Sequence, residues 1–370
     1  MRSLRALPAL LGLAFVAAAT GEIQLPIPEG VLPPAIPDDN PLTPSKVELG
    51  KKLYFDVRLS KLGNISCASC HSPEAGFADP RGKKTSAGSE GRFGPRNTPT
   101  SLNAAFLSEQ FWDGRAATLE AQAVLPFVNP IEMGIPDHPS LARLVASFPE
   151  YPPLFRAAFG SADVTVDRIG MAIASFERTL VSLSAPIDRF LKGDPAAISD
   201  AAKRGWALFD GKARCNTCHG WVEAFPLFTD ELYHNIGVGT QDVDFAALAK
   251  KALAASTSSE AFEQLAFDPD ASALGRFVVT REPKDIGAFK TPQLRNVALT
   301  APYMHDGSEA TLLAVIEFYD KGGTPNPHLD GGIRPLGLTP QEKADLVELM
   351  KTFTSDDLDR FQDLVRLMPK

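Results

Sequence analysis

Cysteine, histidine and tryptophan are scarce in this chain of 370 residues, which holds four, six and three of them. Positive charge is also short. Against 45 acidic residues stand 37 basic ones, a net charge of -8. A nucleic-acid role needs a basic face for phosphates, so that class is disfavoured. The acidic balance names no partner by itself, since solubility alone accounts for it. Long apolar runs are missing beyond the N-terminus, which excludes a membrane span, because about 20 apolar residues are needed to cross a bilayer. Strand-type alternation is scarce too, which argues against a β fold.

At the N-terminus, "MRSLRALPALLGLAFVAAATGE" sets Arg2 and Arg5 before an apolar stretch, Leu7 to Ala19, that closes on small residues. This is the pattern of a secretory signal peptide, residues 1–20, cut near Ala19 or Thr20. The mature protein is expected to be exported, soluble and periplasmic. The length suits about two domains of roughly 150 residues each. There are 31 prolines and 28 glycines, which indicate many loops. Between them, helical patterns recur in "SKVELGKKLYF", "TVDRIGMAIASFERTLVS", "DAAKRGWALFDG", "DFAALAKKALAAS", "TLLAVIEFYDK" and "TPQEKADLVELMKTFT". The second of these sets Ile169, Ile173, Phe176 and Leu180 on one helical face. Ser45 and Glu48 have the spacing of a capping box. The fold class is therefore mainly α with long loops.

All four cysteines fall in two copies of one motif: Cys67, Cys70 and His71 in "CASCH", and Cys215, Cys218 and His219 in "CNTCH". C-x-x-C-H is the attachment signal of a c-type haem. On a helical turn the two thiols and the histidine share one face. Two thioethers can then form with the vinyl groups while the imidazole reaches the iron. A redox disulfide or half a zinc site would also use C-x-x-C. Neither requires a histidine after both pairs. The surroundings repeat as well: "LGKKLYFD", with Gly50, Leu53 and Phe55, precedes the first pair, and "RGWALFDG", with Gly205, Leu208 and Phe209, the second. Two copies of one unit imply two similar domains. The expected division is residues 21–187 and 188–370, with the boundary in "SAPIDRFLKGDPAA".

With its motifs "GPRNTPTSLNAAF", "QFWDGRAATLEAQA", "PFVNPIEMG", "DELYHNIGVG", "FKTPQLRNVALTAPYMHDGS" and "TLLAVIEFYDKGG", the chain resembles the bacterial dihaem cytochrome c peroxidase and MauG family over residues 40 to 355. Residues 241–274 fit least and read as an Ala-rich variable helical insert. The resemblance implies two cytochrome-c-like domains, each with one covalent haem c. The N-terminal haem meets hydrogen peroxide and the C-terminal haem handles electrons. Trp112 matches the relay tryptophan between the haems, Glu132 the catalytic acid, Gln122 a distal amide and Pro126 a residue shaping that pocket. Asn97, Thr300 and Pro302 match a calcium site. Read without the resemblance, Trp112 is a core aromatic, Glu132 a solvated loop acid, Gln122 a helix-surface residue and Asn97 a turn cap.

Two departures from the peroxidase pattern point towards the MauG-like branch. Where peroxidases place a histidine that closes the first haem, "TSAGSEGRFGPRN" has Ser89, a poor iron ligand, so the first haem is expected to be open in the diferric protein. Where they place the methionine ligand of the second haem stands Tyr319, whose phenolate would favour ferric and higher oxidation states. Met304 is the competing ligand. His234 and His305 are expected near the second haem without catalytic roles, and His138 and His328 in exposed loops. The implied activity is reduction of peroxide with electrons from a small cytochrome c or a cupredoxin. The alternatives are MauG-like oxidation of a protein substrate through a high-valent dihaem state, and a dihaem electron-transfer cytochrome without enzymatic activity. A homodimer is common in the peroxidase branch, though nothing in the sequence requires one.

Overall fold

The computed structural model describes residues 23–368, so the signal-peptide segment lies outside the described residues. The chain is mainly helical, as its patterning requires. The sheet among the described residues is a two-residue antiparallel ribbon, β1 (Tyr233–His234) against β2 (Phe289–Lys290), with Tyr233 opposite Lys290. The helices used below are α1 (Pro44–Phe55), α2 (Leu119–Val128), α3 (Val166–Glu177), α4 (Asp200–Asp210), α5 (Ser259–Phe267), α6 (Leu312–Asp320) and α7 (Pro340–Lys351). None of the helices among the described residues is long and apolar enough to cross a membrane.

The start of α1 differs from the expected capping box. Thr43 is the N-cap, its hydroxyl accepting from Lys46 N at 3.4 Å, and Pro44 follows it. Proline suits the first helical position because the backbone N–H it lacks would have had no partner there. Ser45 and Glu48 therefore lie inside the helix.

Two helix crossings organise the chain, α1 on α3 and α4 on α7. Each depends on a glycine at the point of closest approach. A Cβ on Gly50 would lie 1.8 Å from the carbonyl oxygen of Ala172, and one on Gly205 would lie 2.2 Å from that of Asp345. Around the first crossing, Leu49, Leu53, Tyr54, Ile169, Ile173 and Phe176 form a buried core. Around the second, Ala202, Phe209, Leu349 and Phe353 form another. Residues between Phe245 and Ile286 make a third, smaller cluster that includes part of α5. The chain ends tie the halves together. Leu358, Leu364 and Met368 pack back on the first core, and Leu32 N donates to Ala224 O at 3.0 Å.

The repeat extends beyond the helices that precede each cysteine pair. Phe77 and Phe228, Asn103 and Asn296, and Phe111 and Met304 all have left-handed φ values, between 57° and 70°. Backbone bridges Gln110–Ala116 and Tyr303–Glu309 close equivalent loops, and Thr118 and Thr311 then cap α2 and α6.

Glycine at the crossings is a steric requirement, so Gly50→Ala and Gly205→Ala should each destabilise the holoprotein by about 1–3 kcal/mol, the range of overpacked cores. Guanidinium denaturation checks this, and a change within about 0.5 kcal/mol, the range of neutral surface substitutions, would show that the helices can separate freely.

Candidate active site

Each histidine of the paired motif closes a turn over its own first cysteine: His71 N donates to Cys67 O at 2.9 Å and His219 N to Cys215 O at 2.8 Å. The imidazoles are then fixed by backbone. His71 Nδ1 lies 3.3 Å from Phe77 O, and His219 Nδ1 lies 2.8 Å from Phe228 O. A carbonyl can only accept, so Nδ1 carries the proton and Nε2 keeps its lone pair for a metal. The thiols do not suit redox exchange, which needs an accessible thiolate. Burial pushes Cys215 up to about 12 and Cys67 strongly upward. A zinc centre fits no better. Cys218, Asp230 and His234 lie within reach of one another. His234, however, spends Nδ1 on Asp330 at 2.7 Å and Nε2 on Asp230 at 3.1 Å. Asp230, then Cys218 and Asp330, push its imidazole up to about 11, and a protonated ring offers no lone pair.

The second motif opens on a cavity of about 450 Å³, lined among others by Cys215, Cys218, His219, Met304 and Tyr319. Cofactor sites run from roughly 300 to 1,000 Å³. Tyr319 lies close enough for charge on either Cys215 or Cys218 to act on its hydroxyl. Trp112 and His234 line the same cavity. Trp112 is locked in place: Nε1 donates to Asn97 O at 2.9 Å, and its own carbonyl accepts from Lys290 N at 2.8 Å. Asn97, Thr300 and Pro302 also meet at this cavity. Asn97 Nδ2 is committed to Lys84 O at 2.9 Å, which leaves Oδ1 as its free ligand atom. His305 is buried face-to-face on Phe289, with ring centroids 3.5 Å apart. Burial, then Arg96, holds it well below the usual imidazole range. Neither of the other two histidines is exposed as expected, although His328 does lie in a loop. His138 opens a helix, His138–Ser147, and its Nε2 sits 3.3 Å from Val124 O. Half-buried His328 packs edge-on to Phe245.

Near the first motif stand two glutamates, Glu132 half-buried and Glu177 buried. Glu132 is close enough to Cys67 and Cys70 to act on both thiols. Its Oε2 is buried with no hydrogen-bond partner among the described residues. Burial, then the charge of Glu263, push it up to about 8, while Arg115 pulls the other way. The loop that carries it is tightly held. Asn129 Oδ1 accepts from Ile131 N at 2.8 Å and Glu132 N at 3.3 Å, and Glu132 O accepts from Ser89 N at 2.7 Å. Gln122 and Pro126 are half-buried one turn apart on α2. The Ser89 hydroxyl is held by its own neighbours: Oγ donates to Asn64 Oδ1 at 2.7 Å and accepts from Leu62 N at 3.1 Å. Glu177, at the end of α3, acts on Cys67 and Tyr54 and has an orphaned Oε2 of its own.

Residues 44–196 match the family model described as "Di-haem cytochrome c peroxidase". The methylamine utilization protein MauG of Methylorubrum extorquens is 40% identical over 326 residues, 86% of this chain and 81% of that protein. The cytochrome-c peroxidase IdrP1 of Pseudomonas sp. strain SCT is 38% identical over 360 residues, 95% and 92% of the two chains. A crystal structure of a MauG-like protein associated with microbial copper homeostasis superposes with a TM-score of 0.74 at 34% identity, covering 91% of this chain and 97% of that one.

The chain belongs to the di-haem cytochrome c peroxidase family.

It is accordingly a peroxidase-type oxidoreductase, with both MauG proteins and peroxidases among its relatives. A di-haem family accounts for the two cysteine motifs. The residues fit such a group: apolar walls, paired thiols, and imidazoles with Nε2 left free.

Three features of the site were not identified in the sequence. The turned carbonyls of Phe77 and Phe228 follow their motifs by different spacings, six and nine residues after the histidine, so no fixed pattern marks them. Glu177 sits in the quoted "FERTL" as an ordinary helix-end acid. Glu263 lies in the segment with the weakest resemblance.

Burial pushes Glu177 up to about 8, with Glu120 adding to this and Arg178 opposing it. The folded protein then holds a proton that the unfolded chain releases near its ordinary value of 4.5. Its contribution to stability is full below pH 4.5 and is lost as pH rises towards 8. Glu177→Gln should therefore be more stable than the parent at pH 8 by about 1–3 kcal/mol, with the difference fading towards pH 4.5. Denaturation curves at the two pH values check the sign; equal pH dependence in both proteins would mean Glu177 ionises normally.

Proposed function

We propose that this chain is an exported, periplasmic dihaem c-type peroxidase of the MauG-like branch, built from two cytochrome-c-like domains, residues 21–187 and 188–370. The observation that carries this reading is Glu132: a half-buried glutamate whose Oε2 is buried and orphaned beside the first cysteine pair, in a loop fixed by hydrogen bonds. When bound, the haem of His71 supplies the iron at which peroxide is reduced, and the haem of His219 supplies electron storage and exchange.

The chain's own residues do the rest. Reduction of hydrogen peroxide to two waters takes two electrons and two protons. Glu132, as carboxylate, accepts the proton from one peroxide oxygen and returns it to the other, which leaves as water. Half-buried Gln122 orients peroxide with its amide, and Pro126 offers no side-chain ligand. Ser89, committed to Asn64 and Leu62, leaves the first site open without reductive activation. Trp112, anchored at both its indole and its carbonyl, conducts electrons between the two sites. Tyr319 would ligate the iron of the second haem when that group is bound, with Met304, which lines the same cavity, as the alternative. Asn97 Oδ1 and the carbonyls of Thr300 and Pro302 would hold a calcium ion through oxygens alone, with no carboxylate and so with modest affinity.

The donor is a small cytochrome c or a cupredoxin. Tyr319 supports a second reading, oxidation of a protein substrate as in MauG maturation chemistry, because a tyrosinate ligand suits a site that stores oxidising equivalents better than one fed by a high-potential donor. Negligible steady-state turnover with reduced cytochrome c would favour this second reading.

One equivalent of peroxide mixed with the diferric holoprotein in a stopped-flow instrument should change the Soret band without any reductant. Glu132→Gln should slow that reaction by about 10²–10⁴-fold, the usual worth of a positioned acid–base group. Because the carboxylate is the active form, the rate should climb with pH through a midpoint near 8 before levelling off. A variant as fast as the parent would remove Glu132 from the mechanism. Tyr319→Phe should alter the resting spectrum of the second haem while Met304→Leu leaves it unchanged; the reverse would reassign the ligand.

A further inference from the structure

Helix α5 belongs to the segment where the family motifs fade, yet one of its side chains reaches the Glu132 loop. Glu263 is 9% exposed and has two partners. Its Oε2 accepts from Arg115 Nε at 2.7 Å, and its Oε1 accepts from Asn129 Nδ2 at 2.8 Å. Asn129 is the residue whose Oδ1 holds the amides of Ile131 and Glu132. A single side chain thus joins α5 to the backbone of the Glu132 loop, with the two ends of one Asn129 amide as the link.

The charges around this link balance without Glu132. Arg115 contacts Asp113 at 3.1 Å as well as Glu263, and Arg96 lies 3.6 Å from Asp113. Two guanidiniums face two carboxylates, all four largely withdrawn from water. An ionised Glu132 would add a third, unmatched negative charge to this cluster. On the side facing loop 88–92, the charges are Lys61, Glu90 and Arg92, which pair with one another near the surface. The thiols of Cys67 and Cys70 also face Glu132, and as haem thioethers they carry no charge.

We propose that Glu263 is a positioning residue of the peroxide site: it holds the Asn129–Gly134 loop through the Asn129 amide and sets a second carboxylate near Glu132. This deepens, and rests on, the reading of Glu132 as the proton shuttle. The competing explanation is that Glu263 only neutralises Arg115. Either role would lower stability when Glu263 is lost, because Arg115 would keep one carboxylate instead of two. Only the positioning role moves the pH profile of Glu132 and the exchange of its loop amides.

The test uses the diferric holoprotein and two variants, Glu263→Gln and Glu263→Ala. The glutamine variant keeps an acceptor for Asn129 and removes the charge. Its peroxide reaction should keep its plateau rate while the midpoint of the pH profile falls by about one pH unit or more, as expected when a like charge near a buried carboxyl is removed. The alanine variant should show the same fall together with faster hydrogen exchange at the amides of Ile131 and Glu132, by about tenfold, the worth of one lost hydrogen bond. An unmoved midpoint in Glu263→Gln, or unchanged exchange in Glu263→Ala, would overturn the proposal. Glu132→Gln serves as the separate control. If that variant reacts like the parent, the shuttle reading fails by itself, while the exchange data still report whether Glu263 grips the loop.

Discussion

The hydrogen bond from a histidine Nδ1 to a backbone carbonyl governs this molecule. It is made twice, to Phe77 and to Phe228, and each time the acceptor residue is held at positive φ. A neutral imidazole has one proton, and placing it on Nδ1 commits Nε2 to be the ligand atom. The bond also sets the plane of the ring relative to the cysteine turn. Side chains elsewhere in the two sites, on α2 and α6, differ more sharply than this shared constraint does.

That difference can be read residue by residue, because the two distal helices begin at equivalent caps. Counting from Thr118 and from Thr311, the fourth residue is Gln122 in one helix and Val315 in the other, and the eighth is Pro126 in one and Tyr319 in the other. Six residues before the caps stand Trp112 and His305. One repeat therefore carries a polar amide and a proline that cannot ligate. Its counterpart carries an apolar side chain and a tyrosine that can. Under the function proposed above, the difference between a site that meets a small polar oxidant and one that holds electrons would rest on these few side chains of α2 and α6.

Much of this was legible beforehand because it depends on local spacing. The cysteine motifs, the helical faces such as Ile169, Ile173 and Phe176, and the glycines at the crossings are all short-range patterns. The α1 cap was misplaced by two residues because both Thr43 and Ser45 offer a hydroxyl, and only the direction of the incoming chain selects between them. His138 and His328 looked exposed because prolines flank them; burial came from Val124 and Phe245, distant in sequence. Glu263 was illegible for the same reason. Its partners lie 148 and 134 residues away, and a glutamate in an Ala-rich helix has no local mark of a buried role.

Long-range partners also fix Trp112, the residue proposed above as a relay. Its indole N–H is held by Asn97 O, the Asn97 N–H is held by His305 O at 2.7 Å, and the Trp112 carbonyl is held by Lys290 N. A residue of the first repeat is thus fastened by backbone groups of the second. Electron transfer between fixed centres depends on a bridge that keeps one position, and here the clamps are main-chain bonds rather than mobile side chains. The same chain of bonds passes through Asn97, whose remaining oxygen is the free ligand atom beside Thr300 and Pro302. If the calcium site and the relay are as proposed above, a cation held by that oxygen would restrain the residue that holds the indole.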